Sequence, residues 1–154
     1  MEKSSEIEMA PYEPGAVTVS GRMDDGFLCS VNANGHVMLA DEPEAHGGDN
    51  RGPTPYDFLA AALGSCTVMT LNMYARRKDW PLEKVEVSLT HDRIHAKDCE
   101  DCESGDGQVH VLNREIRIEG DLDQAQRQRL LEIADRCPVH RTLEAEIKVR
   151  TRLV

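Results

Sequence analysis

The sequence predicts an α+β fold of order βββ-α-ββ-α-β, with antiparallel or mixed sheets around two long helices. Two kinds of hydrophobic period and their order predict it. Period-two alternation marks short strands near the start and end of the chain, and helical recurrence marks residues 59–77 and 130–137. The helices are separated by strands in groups rather than one per parallel crossover, which favours an α+β arrangement over a doubly wound sheet.

Each element has its own signal. Ala16 to Ser20 alternates Val17 and Val19 with small hydroxyl residues, and the turn-like Asp24-Asp25-Gly26 separates it from a second run, Phe27 to Asn32. Asn34-Gly35 is a hairpin signal leading into His36 to Ala40. The Gly, Pro and charged residues from Asp41 to Pro53 read as a loop. A helix follows, with Thr54 as N-cap, Pro55 in the first helical position and Asp57 in the third, where a carboxylate can bond back to the cap. Its apolar stripe runs through Leu59, Ala62, Leu63, Cys66, Met69, Thr70 and Met73 to about Arg77.

Trp80-Pro81 breaks this helix, and Val85, Val87 and Leu89 start a strand directed towards His95. After an acidic loop, a strand from Val109 to Glu119 ends at Gly120. Asp121 and Gln124 are spaced as a capping box for a second helix, whose apolar face is Leu130, Ile133, Ala134 and Cys137. Pro138 stops that helix, with a short one from Val139 to Leu143. Ala145, Ile147, Val149, Thr151 and Leu153 alternate with polar residues as a closing strand.

At 154 residues and 40% hydrophobic content, one domain is expected at 15–154, preceded by a flexible arm at 1–14 that carries Glu, Ser and Pro. Six aromatic residues make a lean core, so an uncovered apolar face would be covered by self-association. The formal charge of −10 argues against nucleic acid and against an anionic membrane surface as partners. No stretch reaches the roughly 18 consecutive apolar residues of a membrane span, and the N-terminal residues have no apolar signal core. A soluble cytoplasmic protein is expected.

Five cysteines, at 29, 66, 99, 102 and 137, cannot all pair within one chain and read as reduced cytosolic thiols. Cys66 and Cys137 each fall on the apolar face of a predicted helix, so packing of the two helices would bring the sulfurs together. Each is also readable as a small buried hydrophobe. Gly64, beside Cys66, costs a helix interior about 1 kcal/mol relative to Ala, which points to a close approach there, by a second helix or by a substrate. Cys66 lies twelve residues beyond Thr54, about 18 Å along the axis, out of reach of its own helix dipole. A thiolate there calls for a cation, with Arg22, Arg51, Arg76, Arg77, Arg136 and Arg141 as candidates. Electrostatics does not choose which cysteine attacks, since Cys137 closes one helix and precedes another.

The run GPTPYDFLAAALGSCTVMTLNMYARRK, with ADRCPVHRTL, resembles the two helical signatures of the OsmC/Ohr family, and the element order is similar from about residue 16 onward. The resemblance implies an OsmC-like fold, an intertwined homodimer with sites at the subunit interface, Cys66 as the peroxidatic cysteine and Cys137 as its resolving partner. A lining of Leu59, Leu63, Met69 and Met73 favours an alkyl or acyl hydroperoxide as substrate, as the resemblance also suggests; an external dithiol is then needed to reduce the Cys66–Cys137 disulfide, and no cofactor is expected. In the Ohr branch an arginine and a glutamate hold the thiolate. By order the arginine is Arg22, with Arg51 as competitor. Tyr56 stands where the glutamate would fall, and the acid is Asp57, one place later and rotated about 100° around the helix. Asp57 is thus readable as a catalytic carboxylate or as a helix cap.

The segment HDRIHAKDCEDCE offers an alternative function, redox or zinc sensing through the Cys99/Cys102 loop. In an extended strand His91 and His95 are about 13 Å apart and cannot share an ion. A bend near Ala96 would let His95 join the two cysteines. An exposed loop with two ordinary thiols and an auxiliary redox pair are the other readings of the same residues.

Overall fold

In the computed structural model, which describes residues 7–154, the chain is α+β and its contacts divide the described residues into two compact units, 7–58 and 59–154. In the first unit, β1 (Val17–Gly21), β2 (Cys29–Ala33) and β3 (His36–Ala40) form an antiparallel meander, as their alternation predicts. Asn34 and Gly35 both have positive φ, 53° and 88°, which is what a tight two-residue hairpin turn requires. Part of the expected arm, residues 1–6, lies outside the described residues. Ala10 is buried, and its N–H donates to Ser30 Oγ at 2.9 Å while Asn32 Nδ2 donates to its carbonyl at 3.2 Å.

The loop after β3 is organised by one carboxylate. Asp41 is only 3% exposed and accepts backbone N–H bonds from Glu42 at 2.8 Å, Arg51 at 3.1 Å and Asp49 at 3.3 Å. Burial pushes its pKa up, but the amides of Arg51, Glu42 and Asp49, with the Arg51 charge, outweigh that and hold it below the usual carboxylate value.

The long helix α1 (Pro55–Lys78) starts with the expected cap: Thr54 N–H donates to Asp57 Oδ2 at 2.8 Å and Asp57 N–H donates to Thr54 Oγ1 at 3.1 Å. By length and composition alone α1 is apolar enough to cross a bilayer, although no uninterrupted apolar run of that length was expected. Small polar residues such as Ser65 and Thr67 interrupt the run without lowering its mean hydropathy much. Within the second unit the helix buries Leu63, Gly64, Thr67, Leu71 and Ala75, a row four residues apart that differs from the predicted stripe. Leu59, Met69 and Met73 stay exposed. Because α1 is apolar on most sides, periodicity could not select the face that packs.

The rest of the second unit is a long antiparallel hairpin, β4 (Leu82–His95) with β5 (Gln108–Gly120), then α2 (Gln124–Ala134) and α3 (Pro138–Leu143). Its core is Leu71, Leu122, Leu130, Ile133 and Ala134, lined by Tyr74, Trp80, Val85, Ile116 and Ile118. Gly64 serves the approach of α1 to the hairpin, since a Cβ there would lie 2.9 Å from Leu89 Cδ1. The close neighbour is thus a strand residue, neither a second helix nor a substrate.

Three boundaries differ from expectation. The capping box of α2 is Asp123 with Gln126, two residues after the Asp121–Gln124 pair of the same spacing. Leu122 is buried in the core, so the chain must deliver it before the helix can begin. Secondly, α2 ends at Ala134, and Pro138 opens α3 at its first position instead of stopping the helix before it. Cys137 therefore sits between helices, as the N-cap of α3.

Finally, the predicted closing strand has no ladder: residues 146–154 carry no regular structure, and Ile147, Val149 and Leu153 are exposed. Alternation supplies a face, but a strand also needs ladder hydrogen bonds to a neighbour, and among the described residues this segment pairs with neither sheet.

Candidate active site

Two of the four predicted site residues meet in the second unit. Cys66, in mid-α1, and Cys137, at the start of α3, are unbonded cysteines close enough for each to shift the other's pKa. Cys137 is fully buried, whereas Cys66 is partly exposed. Burial pushes the Cys66 thiol above its ordinary pKa, and the neighbouring Cys137 sulfur adds to this by favouring its protonated form. Burial also acts to raise Cys137. The hydrogen bond from Cys66, the backbone amides of His140 and Val139, and Thr67 overcome it, so Cys137 lies below its ordinary value. Of the two thiols, the buried Cys137 is thus the one that gives up its proton more readily.

A basic residue that the sequence reading missed pins this arrangement. Arg114, on β5, has a side chain only 11% exposed. Its Nη1 donates to Thr67 Oγ1 at 3.1 Å and to the Ala134 carbonyl at 3.3 Å, and Nη2 donates to Asp135 Oδ1 at 2.8 Å. One guanidinium therefore ties the residue after Cys66 to the end of α2, two and three residues before Cys137. The signal for it was present: Arg114 shares the phase of Ile116 and Ile118 along the strand, and so points to the packed face. Thr67 itself is fully buried and donates to the Leu63 carbonyl at 2.7 Å.

The other two predicted residues lie in the first unit. Arg22 follows β1 and makes an exposed ion pair with Glu8 at 3.3 Å. Asp57 makes both hydrogen bonds of the α1 cap. The competitor Arg51 contributes its backbone N–H to Asp41.

The histidines of the hairpin separate. His91 Nε2 lies 2.9 Å from His110 Nδ1, with the rings stacked, and His110 was not anticipated as its neighbour. His95 caps a short 3₁₀ turn, its Nδ1 accepting from Lys97 N–H at 3.2 Å. Cys99 and Cys102 are joined as a disulfide.

The scaffold is thus an α+β protein in which two unbonded cysteines from distant segments lie close together. The family model of OsmC-like proteins matches residues 47–152, a span that includes both cysteines, and the chain belongs to that family. No curated protein matches the sequence. Among solved structures, the fold is similar to an OsmC-like protein from Mycoplasma pneumoniae, at 20% identity and TM-score 0.65, covering 84% of this chain and 86% of that one. It is also similar to an organic hydroperoxide resistance protein from Elizabethkingia anophelis, at 18% identity and TM-score 0.63, covering 94% of each chain. A third similar structure is an organic hydroperoxide resistance protein of Bacillus subtilis, at 17% identity and TM-score 0.59, covering 84% of this chain and 90% of that one.

Proposed function

We propose that this protein is a cytoplasmic thiol peroxidase that reduces organic hydroperoxides, with Cys66 as attacking and Cys137 as resolving cysteine. The observation that carries the reading is that these two thiols, from distant segments, come close enough for each to shift the other's pKa. Access supports these roles, because a peroxide must reach the sulfur it oxidises and, of the two, only Cys66 is partly exposed.

The two opposed pKa directions fit one proton transfer. Cys137, once deprotonated, accepts the Cys66 proton, and the Cys66 thiolate attacks the distal peroxide oxygen. The O–O bond breaks, the alkoxide takes a proton and leaves as the alcohol, and Cys66 becomes a sulfenic acid. The Cys137 sulfur then displaces water from it, closing a disulfide that an external dithiol reduces. One hydroperoxide and two thiols thus give one alcohol, one water and one disulfide.

Arg22 and Asp57 enter the proposal as the activating cation and its carboxylate. Arg22 pairs at the surface with Glu8, and Asp57 caps α1. Leu59, Met69 and Met73 share the helical phase of Cys66 and are exposed, which favours an alkyl or acyl hydroperoxide over hydrogen peroxide. The same exposed row, with the unpaired apolar residues of 146–154, supports an intertwined homodimer as the working unit. Organic hydroperoxide resistance proteins of the same fold support the substrate class.

The test treats reduced protein with cumene hydroperoxide and hydrogen peroxide in parallel and maps disulfides by peptide mass. Rapid Cys66–Cys137 linkage with the organic peroxide is expected, and it is lost in Cys66→Ser. If neither peroxide oxidises Cys66, the reading fails.

A further inference from the structure

The turn that joins β4 to β5, residues 96–107, carries a second group of reactive side chains. Its base is closed by Ala96 N–H donating to the Gly107 carbonyl at 2.8 Å, and Cys99 N–H donates to Ala96 at 3.2 Å. Cys99 is thereby held at the end of the 3₁₀ turn Ala96–Asp98. Cys102 follows with its Cα 5.5 Å from that of Cys99, and Asp101 Oδ1 lies 3.3 Å from Cys99 Sγ. The two sulfurs and an Asp101 carboxylate oxygen all lie within 4.8 Å of one another. Both cysteines are partly accessible.

We propose that this hairpin tip is a second thiol centre: as a dithiol it binds a thiophilic divalent cation through Cys99, Cys102 and Asp101, and oxidation by a hydroperoxide closes the disulfide and releases the ion.

Three features of the tip carry this. Around a tetrahedral Zn²⁺ with Zn–S of about 2.3 Å, two thiolates stand about 3.8 Å apart, so ligands gathered as closely as these need only small side-chain movements. The donor set of two sulfurs and one oxygen suits Zn²⁺ and discriminates against Ca²⁺ and Mg²⁺, which take oxygen ligands. Charge acts in the same sense. Asp98, Glu100, Asp101, Glu103 and Asp106 face a single cation, Lys97, within residues 96–107. Such a field concentrates divalent cations, and it opposes thiolates unless a metal replaces their protons. Neither neighbouring histidine is needed, since His95 is engaged with Lys97 N–H and His91 with His110, and the fourth position is left to water.

The disulfide and the metal-bound dithiol exclude each other because they use the same sulfurs. One thiolate attacks the peroxide, the alcohol leaves, and the second thiolate displaces water from the sulfenic acid. The two thiolates, one hydroperoxide and two protons become a disulfide, an alcohol and water, with Zn²⁺ set free. No step uses Cys66 or Cys137, so the two readings stand or fall separately.

The test uses the full chain, reduced and desalted without oxygen, with Zn²⁺ titrated against a chromogenic pyridylazo chelator. One zinc per chain is expected. Binding is lost in Cys99→Ser and in Cys102→Ser, weakened at least about tenfold in Asp101→Asn, and unchanged in Cys66→Ser and Cys137→Ser. Cumene hydroperoxide then releases the zinc in step with a Cys99–Cys102 disulfide seen by peptide mass. Absence of stoichiometric zinc from the reduced chain overturns the proposal. So does zinc retained by Cys99→Ser with Cys102→Ser, or zinc that stays bound after the disulfide has closed. Asp101→Asn leaves both thiols in place, so it reports on ligation even if a cysteine variant misfolds.

Discussion

The two cysteine pairs of the second unit are built in opposite ways. Cys99 and Cys102 are brought together by local sequence, three positions apart at the tip of a hairpin, among carboxylates and in reach of solvent. Cys66 and Cys137 come from segments on either side of that hairpin, and their meeting depends on α1, β5 and α2 packing together. A local pair is robust to changes in the core, and its chemistry is set by its neighbours in the chain. The distant pair inherits its chemistry from packing: burial, the Val139 and His140 amides, and the Arg114 clamp that reaches both of its segments.

The largest expected effect separates the pairs by function. Cys66→Ser lowers organic hydroperoxide turnover at least about a thousandfold, as loss of a nucleophile does. Cys99→Ser leaves it within about twofold, measured as peroxide consumption with dithiothreitol as the external dithiol. Cys137→Ser still consumes one equivalent, leaving a Cys66 sulfenic acid that dimedone traps.

The Arg114 clamp is the next way to break the comparison. Arg114→Met leaves the buried Thr67 hydroxyl and Ala134 carbonyl without this donor and should cost about 2–3 kcal/mol in urea unfolding. The same variant should slow closure of the Cys66–Cys137 disulfide and leave closure of Cys99–Cys102 unchanged, with both followed by peptide mass.

A pH series sharpens the contrast further. With Cys137 held below its ordinary pKa, Cys66–Cys137 disulfide formation should rise with pH and level off before the ordinary thiol range. In Cys137→Ser that early levelling should disappear from the oxidation of Cys66, because the thiol whose pKa is lowered is gone while burial still acts to raise Cys66. Stopped-flow peroxide oxidation measures both.

In the first unit, the loop held by Asp41 depends on a carboxyl depressed in the folded state. Its contribution is present above the ordinary carboxyl value and is lost as pH falls through the lower folded one. Amide exchange at Glu42, Asp49 and Arg51, corrected for intrinsic rates, should therefore accelerate below about pH 4. The smallest effect is expected from Gly64→Ala. A gain in helix propensity of about 1 kcal/mol is set against displacement of the Leu89 methyl, leaving a net change under about 1 kcal/mol.

Much of this molecule is legible in the residues because much of it is local. Alternation placed β1 to β5 within a few residues, Asn34-Gly35 placed a hairpin turn, and Thr54 with Asp57 placed the start of α1. The same local rule misplaced the cap of α2, because Asp121–Gln124 and Asp123–Gln126 satisfy it equally and only burial of Leu122 decides between them. Cys66 and Cys137 were recognisable as a possible pair from helical phase, although Cys137 proved to lie between helices. Arg114 escaped notice because a charged residue in phase with Ile116 and Ile118 is read as an exception until its three acceptors are in place.

By itself, then, the sequence determined the α+β order, the hairpin turn and the cysteine motif at the tip, since each depends on interactions within a few residues. Tertiary structure alone decided which face of the uniformly apolar α1 is buried. It also decided that Arg114 joins the neighbourhoods of Cys66 and Cys137, and that residues 146–154 join neither sheet. These outcomes depend on which surfaces meet, and period and propensity carry no information about a partner surface that is distant along the chain.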